Sequence, residues 1–144
     1  MASARERLRL AVRDSLARIS VANGYSTDAG GAVTLEPGQV DADAVAVLAP
    51  LVLKQQRPTD PAMLRGHRLT VLGILAKVPA ALGEAQARLD AVVQDVEDAM
   101  ADQQFRYPSG IQFPQYVSME PVEAKAGMGW VGALITYHTH IPKQ

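Results

Sequence analysis

Leu8, Val12, Leu16 and Ile19 fall at i, i+4, i+8 and i+11, which places them in one apolar stripe on a 3.6-residue helix. Ser3 stands where an N-cap belongs, and the spacing predicts a helix over about residues 4–20. Asn23-Gly24 supplies its stop, because glycine accepts the left-handed conformation that ends helices. A second stripe, Ala85, Leu89, Val92, Val93, Val96 and Met100, predicts a helix opened by Gly83 and Glu84 and running to about Gln103, with acids on its far face.

Elsewhere the period falls toward two. Residues 26–31 are rich in turn formers, and residues 32–35 form a short strand candidate ended by Glu36-Pro37-Gly38. Residues 45–55 are strongly apolar but contain Pro50, which cannot donate to a ladder; this is an edge strand or two pieces joined by a bulge. Residues 57–68 hold two prolines, a glycine and four charged residues and read as a long loop between strands. In residues 69–78, Leu69, Val71 and Leu75 share one face and Leu72, Ile74 and Val78 the other, which predicts a central strand covered on both sides and ended by Pro79. Residues 105–114 form a loop with Pro108, Gly110 and Pro114. Residues 116–125 are a strand candidate that Pro121 confines to an edge or a bulge, and residues 126–129 a turn. Residues 130–141 alternate Val131, Ala133, Ile135 and Tyr137 with Trp130, Leu134, Thr136 and His138, so they pair with the preceding strand as an antiparallel hairpin. This order predicts an α+β sandwich: one domain over residues 1–144, with a mostly antiparallel sheet of four to five strands packed by two helices.

Composition narrows the function classes. At 144 residues the chain has the size of one domain and buries enough surface to fold without staples. It has no cysteine, which excludes disulfides, thiolate metal sites and a cysteine nucleophile. The net charge of -1 gives no global pull toward nucleic acid or anionic membrane. No apolar run is long enough to span a bilayer and the charged N-terminal helix is unlike a secretory signal, so a soluble protein made in the cytoplasm is expected. Charge is nonetheless segregated. The first helix carries Arg5, Arg7, Arg9, Arg13 and Arg18, whereas residues 84–102 carry Glu84, Asp90, Asp95, Glu97, Asp98 and Asp102 against Arg88 alone. These are either two solvated faces or complementary patches that meet between copies in a ring.

Candidate chemistry is sparse. His138 and His140 point to one face of a strand, as a metal pair would, but no third ligand is evident; Glu120 and Glu123 lie on the partner strand with undetermined sides. The pair reads first as a polar strand end at a surface or subunit contact, and only then as a metal site. His67 is a candidate general base by residue type, yet no nucleophile stands in a recognised turn. Gly24, Gly30 and Gly31 follow a helix rather than a strand and lack the Lys-Ser/Thr of a phosphate loop. Asp28 is an Asx-turn residue before it is a catalytic acid. Trp130 and Tyr137 read as core or contact residues, and the row Arg5, Arg9, Arg13 as a solvated face before a phosphate site. The expectation is a protein that is not an enzyme and holds no metal or cofactor.

The segment Val21-Ala22-Asn23-Gly24-Tyr25-Ser26-Thr27-Asp28-Ala29-Gly30-Gly31, placed after an Arg-rich helix, resembles the helix–strand junction of phage tail terminators, the small tail-completion or minor tail proteins of the U type. The order of elements over nearly the whole chain is similar to theirs, as is Gly129-Trp130-Val131-Gly132-Ala133 followed by Thr136-Tyr137. The Pro-broken run of residues 45–55 departs from their pattern. The resemblance implies a virion protein assembled in the host cytoplasm. It would form a ring, typically of six copies, on the head-proximal end of the tail tube, stop further tube subunits and offer a surface for the head. Its partners would be other copies, the tail tube protein and the head–tail connector or neck protein, with DNA passing through the lumen unread. On that view Arg5, Arg9 and Arg13 of one copy would face Asp95, Asp98 and Asp102 of the next. Arg57, Asp60, Arg65, His67, Arg68, Arg106 and Tyr107 would be tube or neck contacts, since loops on a rigid sheet carry function. A head–tail joining protein, and a small α+β enzyme or ligand-binding domain with a polar pocket, are the alternatives.

Overall fold

The computed structural model describes residues 2–36, 46–81, 83–122 and 129–143. Helix α1 spans Ala4–Leu16, strand β1 Val47–Gln56, β2 His67–Pro79, helix α2 Ala85–Met100, β3 Gln115–Val122 and β4 Trp130–Pro142. The four strands form one antiparallel sheet in the order β1-β2-β4-β3. Both helices lie on one face of it, so the architecture is α+β in two layers.

Local chemistry explains the helices. The Ser3 hydroxyl accepts from the Glu6 backbone N–H at 3.1 Å and caps α1. The stripe Leu8, Val12, Leu16 and Ile19 is fully buried. The α-helix ends earlier than the stripe, at Leu16. Ile19 reaches the core from the following turn, whose N–H bonds the Leu16 carbonyl at 3.0 Å. Asn23-Gly24 therefore closes a separate 3₁₀ turn, Val21–Asn23, where Gly24 adopts φ 93°. On α2 the stripe Leu89, Val92, Val93, Val96 and Met100 is buried against the sheet. Burying each such side chain stabilises the fold by roughly 1.5–3 kcal/mol.

The sheet is more one-sided than the sequence predicts. Leu72, Ile74, Ala76 and Val78 of β2 and Ala133, Ile135, Tyr137 and Ile141 of β4 pack under the helices. The opposite face of β2, with Val71, Leu75 and Lys77, is half-buried and carries no helix. Its cover comes from side chains lying flat. Leu53 leans over Gly73 toward Leu134, and the Trp130 ring folds over Gly132. A Cβ on Gly132 would sit 2.4 Å from that ring. Lys77 Nζ lies 4.8 Å from the ring centroid on the same patch.

Two further expectations change. Residues 32–35 form no strand: Ala29–Ala32 is a 3₁₀ turn, and Val33 makes only an isolated parallel bridge to Leu48. The loop after β1 ends at Gly66, because His67 and Arg68 already pair with Pro142 and Ile141. The two strands with a proline in their interior, β1 with Pro50 and β3 with Pro121, lie at the sheet edges, and each has a register break, at Val52/Lys54 in β1 and Tyr116/Ser118 in β3. The predicted turn at Glu36-Pro37-Gly38 lies, past Glu36, outside the described residues, as do Val45, Glu123 and most of the turn at 126–129.

Candidate functional site

The junction after α1 is held by bonds to almost every polar residue in it. Asn23 Nδ2 donates to the Arg18 carbonyl at 2.8 Å. Asp28 accepts from the Val21 N–H at 2.8 Å, seven residues back, so it clips the loop shut rather than forming an Asx turn. Gly30 N–H bonds the Ile19 carbonyl, and a Cβ at Gly30 would lie 2.6–2.7 Å from the carbonyl oxygens of Leu16, Ala17 and Ile19. Only glycine lets the chain pass this close to the helix end. Asp95, 2% exposed on α2, accepts from Ser26 N (3.1 Å), Thr27 N (2.7 Å) and Thr27 Oγ1 (2.7 Å). It is the clasp between the junction and α2.

The two charged helices meet inside the chain. Arg18 pairs with Asp102 at 2.5 Å, donates to the Ala99 carbonyl at 3.0 Å and stacks 4.7 Å from the Phe105 centroid. This guanidinium, with the Gln104 N–H, holds the Asp102 carboxyl below the ordinary carboxylate range. Arg13 pairs with its neighbour Asp14 at 3.1 Å. Arg5 donates to Gln55 Oε1 at 3.1 Å across to β1. So the two predicted rows divide. Arg5 and Asp98 are exposed and Arg9 and Arg13 half-exposed, whereas Asp95 and Asp102 are engaged within the chain.

The predicted contact loops divide in the same way. Arg57, Asp60 and Arg65 are exposed, with Asp60 capping the 3₁₀ turn Pro61–Met63 through the Ala62 N–H at 3.0 Å. His67 and Arg68 belong to β2 rather than to the loop. Arg106 is exposed. Tyr107 packs inward, edge-on to Phe105 (5.2 Å) and Phe113 (5.6 Å), with its hydroxyl 3.6 Å from Met100 Sδ. Burial pushes that hydroxyl up to about 12. His138 and His140 share the face without helices, but His140 is buried beside Gln112, whose Oε1 lies 2.8 Å from Nδ1. Among the described residues no three His, Asp or Glu side chains converge, and no helix is long and apolar enough to cross a membrane.

Sequence reasoning missed a cleft of ≈ 730 Å³ between the last turns of α2 and the start of β3. Glu97 and Asp98 stand on its helix side, Phe113 and Tyr116 on its loop side, and Tyr137 at its base. Tyr116 and Tyr137 meet edge-on at 5.8 Å. The Tyr137 hydroxyl is buried and has no hydrogen-bond partner among the described residues. Burial, and then the charge of Glu97, push it above the ordinary tyrosine range. Next to the cleft, β3 leaves Tyr116 54% and Met119 39% exposed, because no helix covers that edge. Pro121 was the sequence signal for the edge; that the helices stop short of it has no local signature.

No protein-family model matches this chain, and no curated protein matches it. Among solved structures, the fold is similar to that of a chain in the "Virion of native gene transfer agent (GTA) particle", with a TM-score of 0.67, 16% identity and 99% of both chains covered. At that identity the likeness is one of fold.

Proposed function

We propose that this chain is a structural subunit of a phage-like virion, and within it the ring that closes the head-proximal end of the tail tube. The full-length fold likeness to a chain of a virion particle carries this reading. The resemblance of residues 21–31 and of β4 to tail terminators supports the finer part. In this role the protein acts mechanically. It needs heterologous interfaces that close into a ring, one face matching the tube and one matching the neck. Arg57, Asp60, Arg65 and Arg106 are exposed on loops and are the proposed axial contacts. Arg5, Arg9 and Arg13 on one side and Asp98 on the other are the proposed lateral ones.

The cleft below Tyr116 favours a second reading, a small-ligand domain, since it combines polar groups with a perturbed phenol. Against it, the cleft opens at a sheet edge beside exposed apolar residues and holds no paired nucleophile and base. Deleting the gene from its parent phage or prophage, followed by electron microscopy, separates the readings. Overlong or unjoined tubes beside DNA-filled, tailless heads are the expected result. Normal-length tails joined to heads would refute termination. Arg9→Glu with Arg13→Glu is expected to weaken ring assembly, and unchanged assembly with an intact fold removes that face from the interface.

A further inference from the structure

The two edges of the sheet carry opposite chemistry. At the β3 edge, Glu97 and Asp98 flank an aromatic cleft, with Val117 and Met119 exposed alongside. At the β1 edge, a cleft of ≈ 700 Å³ is bordered by Arg5, Arg9 and Lys54 against the single acid Glu36, with Leu51 and Leu53 beside them. Because β1 and β3 are the two outer strands, these surfaces point away from each other. Neither invites sheet extension. Outside β1, Thr34 N–H already bonds the Leu48 carbonyl, and Pro50 and the register break interrupt the rest. On β3, Pro121 and its own register break do the same. A contact here must be made by side chains.

We propose that the α2–β3 cleft is a socket for the basic α1–β1 edge of a second copy of this chain, so that copies join head to tail. This deepens the ring reading and rests on it for closure of the chain of contacts. The charges are complementary, and the aromatic walls suit a guanidinium. The Tyr137 hydroxyl lies sealed beneath the socket, so the acids and rings at its mouth, and not this phenol, make the contact. Glu97 already interacts with the Tyr116 hydroxyl, and an arginine of the second copy laid over the Phe113 and Tyr116 rings would meet Glu97 and Asp98 together. Because the contact uses different surfaces on the two copies, it propagates, and it closes wherever its rotation divides a full turn.

The test uses the whole chain in two charge-reversed forms, Glu97→Lys with Asp98→Lys, and Arg5→Glu with Arg9→Glu, followed by analytical ultracentrifugation. The parent is expected to self-associate and each variant alone to weaken at least about tenfold. An equimolar mixture of the two regains the loss, because a basic socket then meets an acidic edge and the converse. Circular dichroism on each variant separates loss of contact from loss of fold, and recovery on mixing requires folded partners. A parent that stays monomeric at its highest soluble concentration overturns the proposal, and so do variants that associate like the parent or a mixture that gains nothing. Normal tails in the gene deletion, with self-association intact, would sink tail termination and leave this interface standing.

Discussion

Replacing Asp95 by alanine removes the side chain that ties Ser26 and Thr27 to α2 through three hydrogen bonds. Hydrogen bonds to a charged group contribute about 1.5–3 kcal/mol each. They are not additive here, since Thr27 supplies two of them and water can reach the exposed Ser26 N–H once the clasp opens. The expected loss is therefore about 3–5 kcal/mol, a large share of the roughly 5–15 kcal/mol that holds a domain together. In a chain of this length it lowers the melting temperature by roughly 10–20 °C. Urea denaturation of parent and variant measures the free energy, and native-state hydrogen exchange localises it. The Ser26 and Thr27 amides are expected to lose protection while those of β2 and β4 fall only with global stability. Thr27→Val removes the hydroxyl, which donates to Asp95 and weakly accepts from the Ala29 N–H at 3.4 Å, and is expected to cost about 1 kcal/mol. An Asp95→Ala protein within about 1 kcal/mol of the parent, with both amides still protected, would refute the clasp.

Other outcomes follow from single positions. Gly30→Ala drives a methyl into three backbone carbonyls and is expected to destabilise by about 1–3 kcal/mol or more, whereas Gly31→Ala meets nothing within 4 Å and should stay within about 1 kcal/mol of the parent on the same urea curves. Burial raises the folded-state values of Tyr107 and Tyr137 above the ordinary phenol value of 10.0, so their contribution is whole below that pH and is lost as pH rises beyond it. Absorbance titration should show these two phenols ionising only with unfolding, and free titration near the ordinary value would contradict their burial. Asp102 behaves in the opposite sense. Its depressed folded-state value gives stability that is present above the ordinary carboxylate value of 3.8 and lost as pH falls through the depressed one. Asp102→Asn should flatten that acid limb in pH-dependent melting, and an unchanged limb would remove the Arg18 pair as its cause.

The helices, strand order along the chain, edge prolines and final hairpin were legible because each rests on a local signal: a 3.6-residue stripe, a cap or a proline that forbids a ladder bond. Three things were not. The apolar face of Leu69, Val71 and Leu75 reads in sequence as covered, but what lies over this side of the sheet is Leu53 over Gly73 and Trp130 over Gly132, a long-range arrangement no window detects. The acidic face of α2 reads as uniform, yet one turn separates buried Asp95 from exposed Asp98, because the junction happens to pack over the first. The cleft at β3 depends on where α2 ends relative to a strand that follows it by more than a dozen residues.

The segment through which the chain resembles tail terminators is also the segment whose residues have the clearest internal work. Asn23 bonds back to α1, Gly24 turns, Ser26 and Thr27 bind Asp95, Asp28 closes the loop and Gly30 clears three carbonyls. A pattern built from such residues reports on the fold, and many jobs can be grafted onto one fold. The surfaces proposed for assembly lie elsewhere, on the β1 and β3 edges. Charge sign and exposed apolar area are the features of these edges on which the proposed contact rests. That is why the decisive variants are Glu97, Asp98, Arg5 and Arg9, and why changes in residues 21–31 would disturb folding and assembly together without telling them apart.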